Sequence, residues 1–359
     1  MYSPWLQAVT KPPASLPDYS FGKHLRPRAR KISIALLGVD QEVATSTRHH
    51  LYQTGWDFGK ISVRDLGNLR KATADFMIPL LRELHTGGII PILIGGDYQA
   101  FRAQYLAFAE LKRQVSVLSI NRRIELTPIA DRGEVLDNAV HSKGRKRFHL
   151  SHIGAQQHLI DPAIKDVFAA QAYESVSLGP ARNDISALEP LLRDADLLGF
   201  NIGAINHNEA PARSSFTPSG FNLQEASQLA YYAGNSDKLS SFGLFGLDPS
   251  CGTETEQQLT AAAYAQLIWY FLHGFSRRQG DFPISNKGLL EYVVDLQGFD
   301  HLTFWRSRRS NRWWVQVPSY NKQGEARHRL VPCTYEDYLT ASNKQTLPER
   351  LVAAFRRFM

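Results

Sequence analysis

The chain has 359 residues, 43% hydrophobic and 21% charged, enough to bury a sizeable core and ordinary for a globular protein. Its net charge of +7 permits contact with nucleic acid or an anionic surface, but the basic residues are scattered apart from Lys143, Arg145, Lys146 and Arg147 and a group at Arg306, Arg308, Arg309 and Arg312, and both runs read as solvated faces. Two cysteines, Cys251 and Cys333, exclude a disulfide framework and a four-thiolate zinc site, no apolar run approaches the roughly 18 residues of a membrane helix, and residues 1–20 lack the marks of a signal peptide, so a reduced, cytoplasmic, unprocessed protein is expected.

Residues 1–30 are rich in proline and basic side chains and read as an irregular lead-in on the surface. Residues 31–39 (KISIALLGV) form an apolar, β-branched run ending near glycine, the first buried strand. Apolar positions at helical spacing over 68–85 (Phe76, Ile78, Leu80, Leu81, Leu84) stop at Gly87-Gly88, a helix end. A strand over 89–94 follows, then a helix over 98–111 and a strand over 114–120, a βαβ rhythm that argues for a parallel sheet covered by helices on both faces. The rhythm continues through strands at 151–156, 175–178, 195–202 and 239–247 and helices at 161–171, 189–194, 222–233 and 255–273. From Gly280 the character changes: 290–296, 302–305 and 313–317 read as a small antiparallel set with tryptophan-rich faces, and 348–359 as a final helix whose Leu351, Val352, Phe355 and Phe358 dock on the body. The expected organisation is therefore a lead-in over 1–30, a main α/β domain over 31–280, and a C-terminal β/helix extension over 281–359 packed on the same domain.

Three strand ends stand out: Gly95-Gly96-Asp97-Tyr98, then Asn121-Arg122-Arg123-Ile124-Glu125, then Asn201-Ile202-Gly203 with Ala210-Pro211 beyond. In that order and at those intervals they resemble the metal-binding signatures of the ureohydrolases (arginases, agmatinases and formimidoylglutamases), which usually read GGDH, DAHxD and SFDxD with AP shortly after. The likeness runs on through Thr217-Pro218-Ser219-Gly220-Phe221, Ile268-Trp269-Tyr270-Phe271 and the tail from Leu330 to Tyr338, and looks like a divergent Bacteroidetes-type, arginase-like branch. It implies a three-layer α/β/α sandwich around a mostly parallel sheet of about eight strands.

The same resemblance implies a chemistry whose ligands are altered. Family members hold two manganese ions with two histidines and four aspartates, and a metal-bound hydroxide attacks a guanidinium or formimino carbon. Position by position, those ligands correspond here to Tyr98, Asn121, Arg123, Glu125, Asn201 and Gly203. The substrate-orienting acid of the family corresponds to Gly246, with Asp248 close by, and a proton-shuttling histidine has only a loose counterpart in His141. Two neighbouring dications repel by roughly several kcal/mol even at an effective dielectric near 20, and Glu125 opposed by Arg123 supplies a charge near zero to offset this. No cofactor is expected for that reason.

On an extended segment Asn121, Arg123 and Glu125 share a face, so the Arg123 guanidinium either takes the metal's place beside Glu125 and Asp97 or points into solvent over a collapsed pocket. Tyr98 either marks residual chemistry or packs its ring in the former metal cavity.

Two functions follow. The first is a pseudoenzyme that binds a small molecule or a protein partner; the second is a C–N hydrolase of linear amidines that works with an altered or single-metal site. Whether the chain is an enzyme stays open on sequence alone, as does a homo-oligomer of the kind its relatives form. The histidines at 49, 50, 149, 152 and 158 match no compact zinc spacing, nothing places a base beside Ser214, Ser215, Ser250 or Cys251, and Trp269, Trp305, Trp313 and Trp314 read as packing rather than nucleic-acid stacking.

Overall fold

The computed structural model describes residue 2 and residues 4–26, 31–111, 114–125, 147–283, 287–296, 299–320 and 326–358. The apolar runs become strands. In chain order the main sheet is built from β1 (Leu6–Gln7), β2 (Ile34–Gly38), β3 (Val63–Leu69), β4 (Ile90–Ile94), β5 (Gln114–Ile120), β6 (Arg147–Ala155), β7 (Glu174–Ser177), β8 (Leu197–Asn201) and β9 (Ser241–Phe245). Their order across the sheet is β1-β3-β2-β4-β9-β8-β5-β6-β7, and every neighbouring pair is parallel except β1 with β3. Nine strands thus stand where about eight were expected; the antiparallel ninth comes from the lead-in, where Leu6 pairs with Leu69 and Gln7 with Asn68.

The helices are α1 (Phe21–His24), α2 (Gln41–Gln53), α3 (Ala74–Thr86), α4 (Tyr98–Ala109), α5 (Pro162–Ala170), α6 (Leu178–Asn183), α7 (Glu189–Asp194), α8 (Leu223–Gly234), α9 (Glu254–Ser276), α10 (Tyr335–Lys344) and α11 (Glu349–Phe358). Because successive strand side chains point to opposite faces, β2 sends Ile34 and Leu36 into one core and Ala35 and Leu37 into the other. The first core is closed by Val43, Ala44 and Leu51 of α2 together with α8 and α9, the second by Met77 and Leu80 of α3, Phe101 of α4 and Ile164 of α5. Each such buried Val, Leu, Ile, Phe or Met side chain contributes about 1.5–3 kcal/mol. The chain therefore leaves β2 toward one face and β4 toward the other, which opens a crevice between the C-terminal ends of these adjacent strands, the place where open α/β sheets keep their ligands.

The main domain corrects the sequence reading in places. The helix expected from residue 68 starts at Ala74, because Asn68 and Leu69 close β3, and α2 and β3 themselves were not anticipated. As expected from the change of character at Gly280, the C-terminal extension is an antiparallel sheet, β10 (Leu289–Leu296), β11 (Phe299–Ser307), β12 (Trp313–Tyr320) and β13 (Ala326–Cys333), in that order, with Leu351, Phe355 and Phe358 of α11 in its core. It is fastened to the main body through charge. Buried Arg193 of α7 donates to the carbonyls of Trp313 and Cys333 with its guanidinium 4.5 Å over Trp314, and Arg357 of α11 reaches the Asp194 carboxylate. Among the described residues no helix is long and apolar enough to cross a membrane.

Candidate functional site

The three strand ends singled out in the sequence, and the turn after β9 that holds Gly246, come together along the C-terminal edge of the parallel strands. Ile94 is level with Leu244, Leu244 with Phe200, and Phe200 with Ile120, so the ends of β4, β9, β8 and β5 stand side by side. The edge divides into two zones.

The first zone is a cleft of about 790 Å³ over the crevice between β2 and β4. Gly95 and Gly96, with φ of 82° and 87°, make the turn out of β4, and a Cβ on Gly96 would lie 2.7 Å from the Val39 side chain, so the turn needs glycine twice over. Asp97 caps α4 by accepting from the Gln99 N–H at 2.8 Å, Asp40 caps α2 by accepting from Val43, and both border the cleft. Asp248, after β9, accepts from the Ser250 N–H at 2.9 Å and its hydroxyl at 2.6 Å, bonds that hold its carboxyl below the usual range. With Asp75 on α3 the cleft is bordered by four carboxylates against one guanidinium, that of Arg102. Helix N-termini favour anions on their own account, so three of these acids answer to local helix electrostatics before any ligand. Tyr98 is the first residue of α4.

The second zone joins the ends of β5 and β8. Buried Asn121 donates from Nδ2 to the Glu125 carboxylate at 2.7 Å, and its Oδ1 accepts from the Arg122 N–H at 2.8 Å. Its carbonyl lies 2.8 Å from His152 Nε2, which must therefore be the protonated ring nitrogen; burial pushes His152 down to about 4, so it stays neutral. Asn201 turns its Oδ1 back onto the Gly203 N–H at 2.8 Å. A Cβ on Gly203 would lie 2.9 Å from Asn201 Oδ1 and 3.6 Å from both Asn121 Oδ1 and Arg122 Nε. Gly203 is thus the point on which the two asparagines and an arginine converge. Gly246 links the zones: it borders the cleft, and a Cβ there would meet Asn201 Oδ1 at 2.7 Å.

The arginine at this point is Arg122, not Arg123. The chain bends straight after Ile120 instead of running on extended, so strand alternation no longer governs residues 121–125. Arg123 is exposed, with no ion pair or hydrogen bond among the described residues, while Arg122 turns inward and donates to the Thr217 hydroxyl. Burial, and then the neighbouring Arg123, weaken the Arg122 proton affinity. Arg213 lies close behind, donating to the carbonyls of Ile202, Ile205 and Thr217, and burial followed by the Arg122 charge pushes it down to about 10. Arg122 and Thr217 stand within segments that carry the resemblance, but nothing in their spacing marked them, or Arg213, as site residues; Asp40 was detectable as an aspartate just past an apolar strand. His141 lies outside the described residues.

A dinuclear dication centre needs several anionic oxygens. The described residues of the second zone offer two neutral amide oxygens already accepting backbone N–H bonds, one carboxylate engaged by Asn121, a side-chain-less Gly203 and an inward guanidinium, and this donor set does not fit such a centre. Among the described residues no group of three or more His, Cys, Asp or Glu side chains is arranged to hold a metal.

No protein-family model matches the chain, and no curated protein matches it in sequence. Solved structures do. The formiminoglutamase of Trypanosoma cruzi with Mn2+ is similar at a TM-score of 0.62 and 15% identity over 72% of this chain and 99% of that one. The formimidoylglutamase of Bacillus subtilis gives 0.63 and 13% over 77% of this chain and 98% of its own. The arginase of Bacillus cereus gives 0.55 and 15% over 67% and 98%. The chain has the arginase fold, with a substantial part lying outside what these proteins share.

Proposed function

We propose that this is an arginase-fold member of the ureohydrolase family that no longer works through a pair of manganese ions and binds a small molecule in the cleft between β2, β4 and β9 without hydrolysing it. The observation that carries the reading is the convergence of Asn121, Asn201 and Arg122 on Gly203, which substitutes amides and a guanidinium for anionic donors. The cleft itself keeps four carboxylates against one arginine in a chain that is basic overall, and this balance favours a cationic ligand.

The test is metal analysis of protein purified with added manganese, alongside assays for formamide and urea release from formimino and guanidino substrates. The expected result is well below one bound manganese per chain and no metal-dependent release. About two equivalents of bound manganese with metal-dependent turnover would instead return the chain to the hydrolases.

A further inference from the structure

We propose that the N-terminal segment roofs a second binding site, separate from the cleft, that takes a small molecule with a carboxylate on an apolar body. A cavity of about 310 Å³ lies between residues 7–16, the outer face of α2 and the end of β3. That volume is at the lower end of the ligand-pocket range, roughly 300–1,000 Å³. Val9, Leu16 and Tyr52 give it an apolar lining, Lys11 stands at its rim, and Arg48 and Asn68 form its polar floor.

The floor is a built arrangement. Buried Arg48 donates from Nε and Nη2 to Asp65 at 2.7 and 3.1 Å, from Nη2 to the Gly67 carbonyl at 3.0 Å, and from Nη1 to Asn68 Oδ1 at 2.6 Å. The last bond fixes the Asn68 amide, because only its oxygen can face a guanidinium. That oxygen sits against Gly38, where a Cβ would lie 2.1 Å from it, so the strand carries glycine where the amide needs room. The Nδ2 is left on the other side, toward the cavity, and has no partner among the described residues although Asn68 is only 3% exposed. That nitrogen keeps some contact with solvent, so an acceptor entering the cavity can reach it.

The surroundings say what kind. No carboxylate borders the cavity, and Asp65 behind its floor is saturated by Arg48, the Tyr52 hydroxyl and the Gly67 N–H. With the Arg48 charge balanced by Asp65, Lys11 leaves a positive excess at the rim. A carboxylate meets the Asn68 Nδ2 and Lys11 together, and its hydrocarbon part packs on Val9, Leu16 and Tyr52.

The experiment uses the full chain and three probes of one shape: 3-phenylpropionate, its neutral amide and 3-phenylpropylamine, measured by calorimetry and ligand-observed NMR, with a crystal structure of the carboxylate complex. The carboxylate is expected to bind at least tenfold more tightly than the amine, with an oxygen on Asn68 Nδ2. Asn68→Asp keeps the acceptor for Arg48 but replaces the donor by a second anion, and is expected to lose carboxylate binding at least tenfold. Thr45→Trp, an exposed change on α2 that fills the cavity, is expected to abolish binding of all three and keeps the test decisive if Asn68→Asp does not fold. Binding unaffected by Thr45→Trp, an amine preference, no binding of any probe, or an ordered water alone on Nδ2 in the complex would overturn the proposal.

Discussion

Gly246 sits directly against Asn201: with φ of 88° it holds a backbone shape that side chains avoid, and any Cβ there would press into the asparagine amide at 2.7 Å. The position that the resemblance matches to a substrate-orienting acid therefore has no room for a side chain. Gly246→Ala is expected to lower stability by about 2–4 kcal/mol, from left-handed strain and overpacking together. Urea unfolding followed by fluorescence measures it, and a loss under about 1 kcal/mol would mean that the turn relaxes freely.

Restoring one acid should not restore a metal site. Asn121→Asp points a carboxylate at Glu125, whose oxygen now accepts a bond from Nδ2 at 2.7 Å. Like charges at that separation raise the pair's proton affinity, so the folded state of this variant binds a proton more tightly than the unfolded chain. Its deficit, about 2 kcal/mol at pH 7, is expected to shrink as pH falls toward 5. Unfolding curves of both proteins at pH 7 and pH 5, each with and without manganese, test this; a large stabilisation by manganese at pH 7 would speak for a latent metal site.

His85 provides a pH signature away from the cleft. Burial pushes it down to about 4 from an ordinary 6.5, and its ring packs edge-on against Phe108. A base with a depressed folded pKa contributes its full share of stability above pH 6.5 and loses it as pH falls toward 4, by about 3 kcal/mol at most. His85→Phe is expected to flatten that part of the pH–stability profile, read from thermal midpoints between pH 7 and 4. An unchanged slope would mean that other groups govern acid loss.

Arg193 is the fastener of the second sheet. Arg193→Ala leaves the carbonyls of Trp313 and Cys333 without this donor, removes the stack on Trp314 and leaves Glu189, whose carboxylate lies 2.9 Å from the guanidinium, to Arg312 at 3.4 Å. A loss of about 3–5 kcal/mol is expected, with limited proteolysis starting in β10–β13. Cleavage that begins in the main sheet instead would show that the extension is held mainly by its apolar core.

The parallel sheet was legible because its strands are buried on both faces and read as nearly unbroken apolar runs; residues 114–120 match β5 end to end. β3 was not, since Arg64, Asp65 and Asn68 interrupt it with polar side chains, and the partner of Asp65 and Asn68, Arg48, lies on α2 and cannot be read from local spacing. α2 was missed for a related reason: its sequence QEVATSTRHHLYQ is mostly polar, with buried Arg48 and Thr47 among its inward positions. At the site, sequence located the strand ends but not the rotation of the chain after them. One bend past Ile120 decides that Arg122 faces Asn121 and Gly203 while Arg123 faces water, and no periodicity reports a bend.

The contrast between a chain of net charge +7 and a cleft bordered by four carboxylates has a kinetic consequence. At about 0.01 M salt, where charges are felt over about 30 Å, an approaching small cation meets the repulsion of the whole molecule; at about 0.15 M, where the range shrinks to about 8 Å, it meets only the acids at the mouth. For the cationic ligand proposed for this cleft, moderate salt is therefore expected to speed capture before higher salt slows it, so the association rate is expected to pass through a maximum with ionic strength.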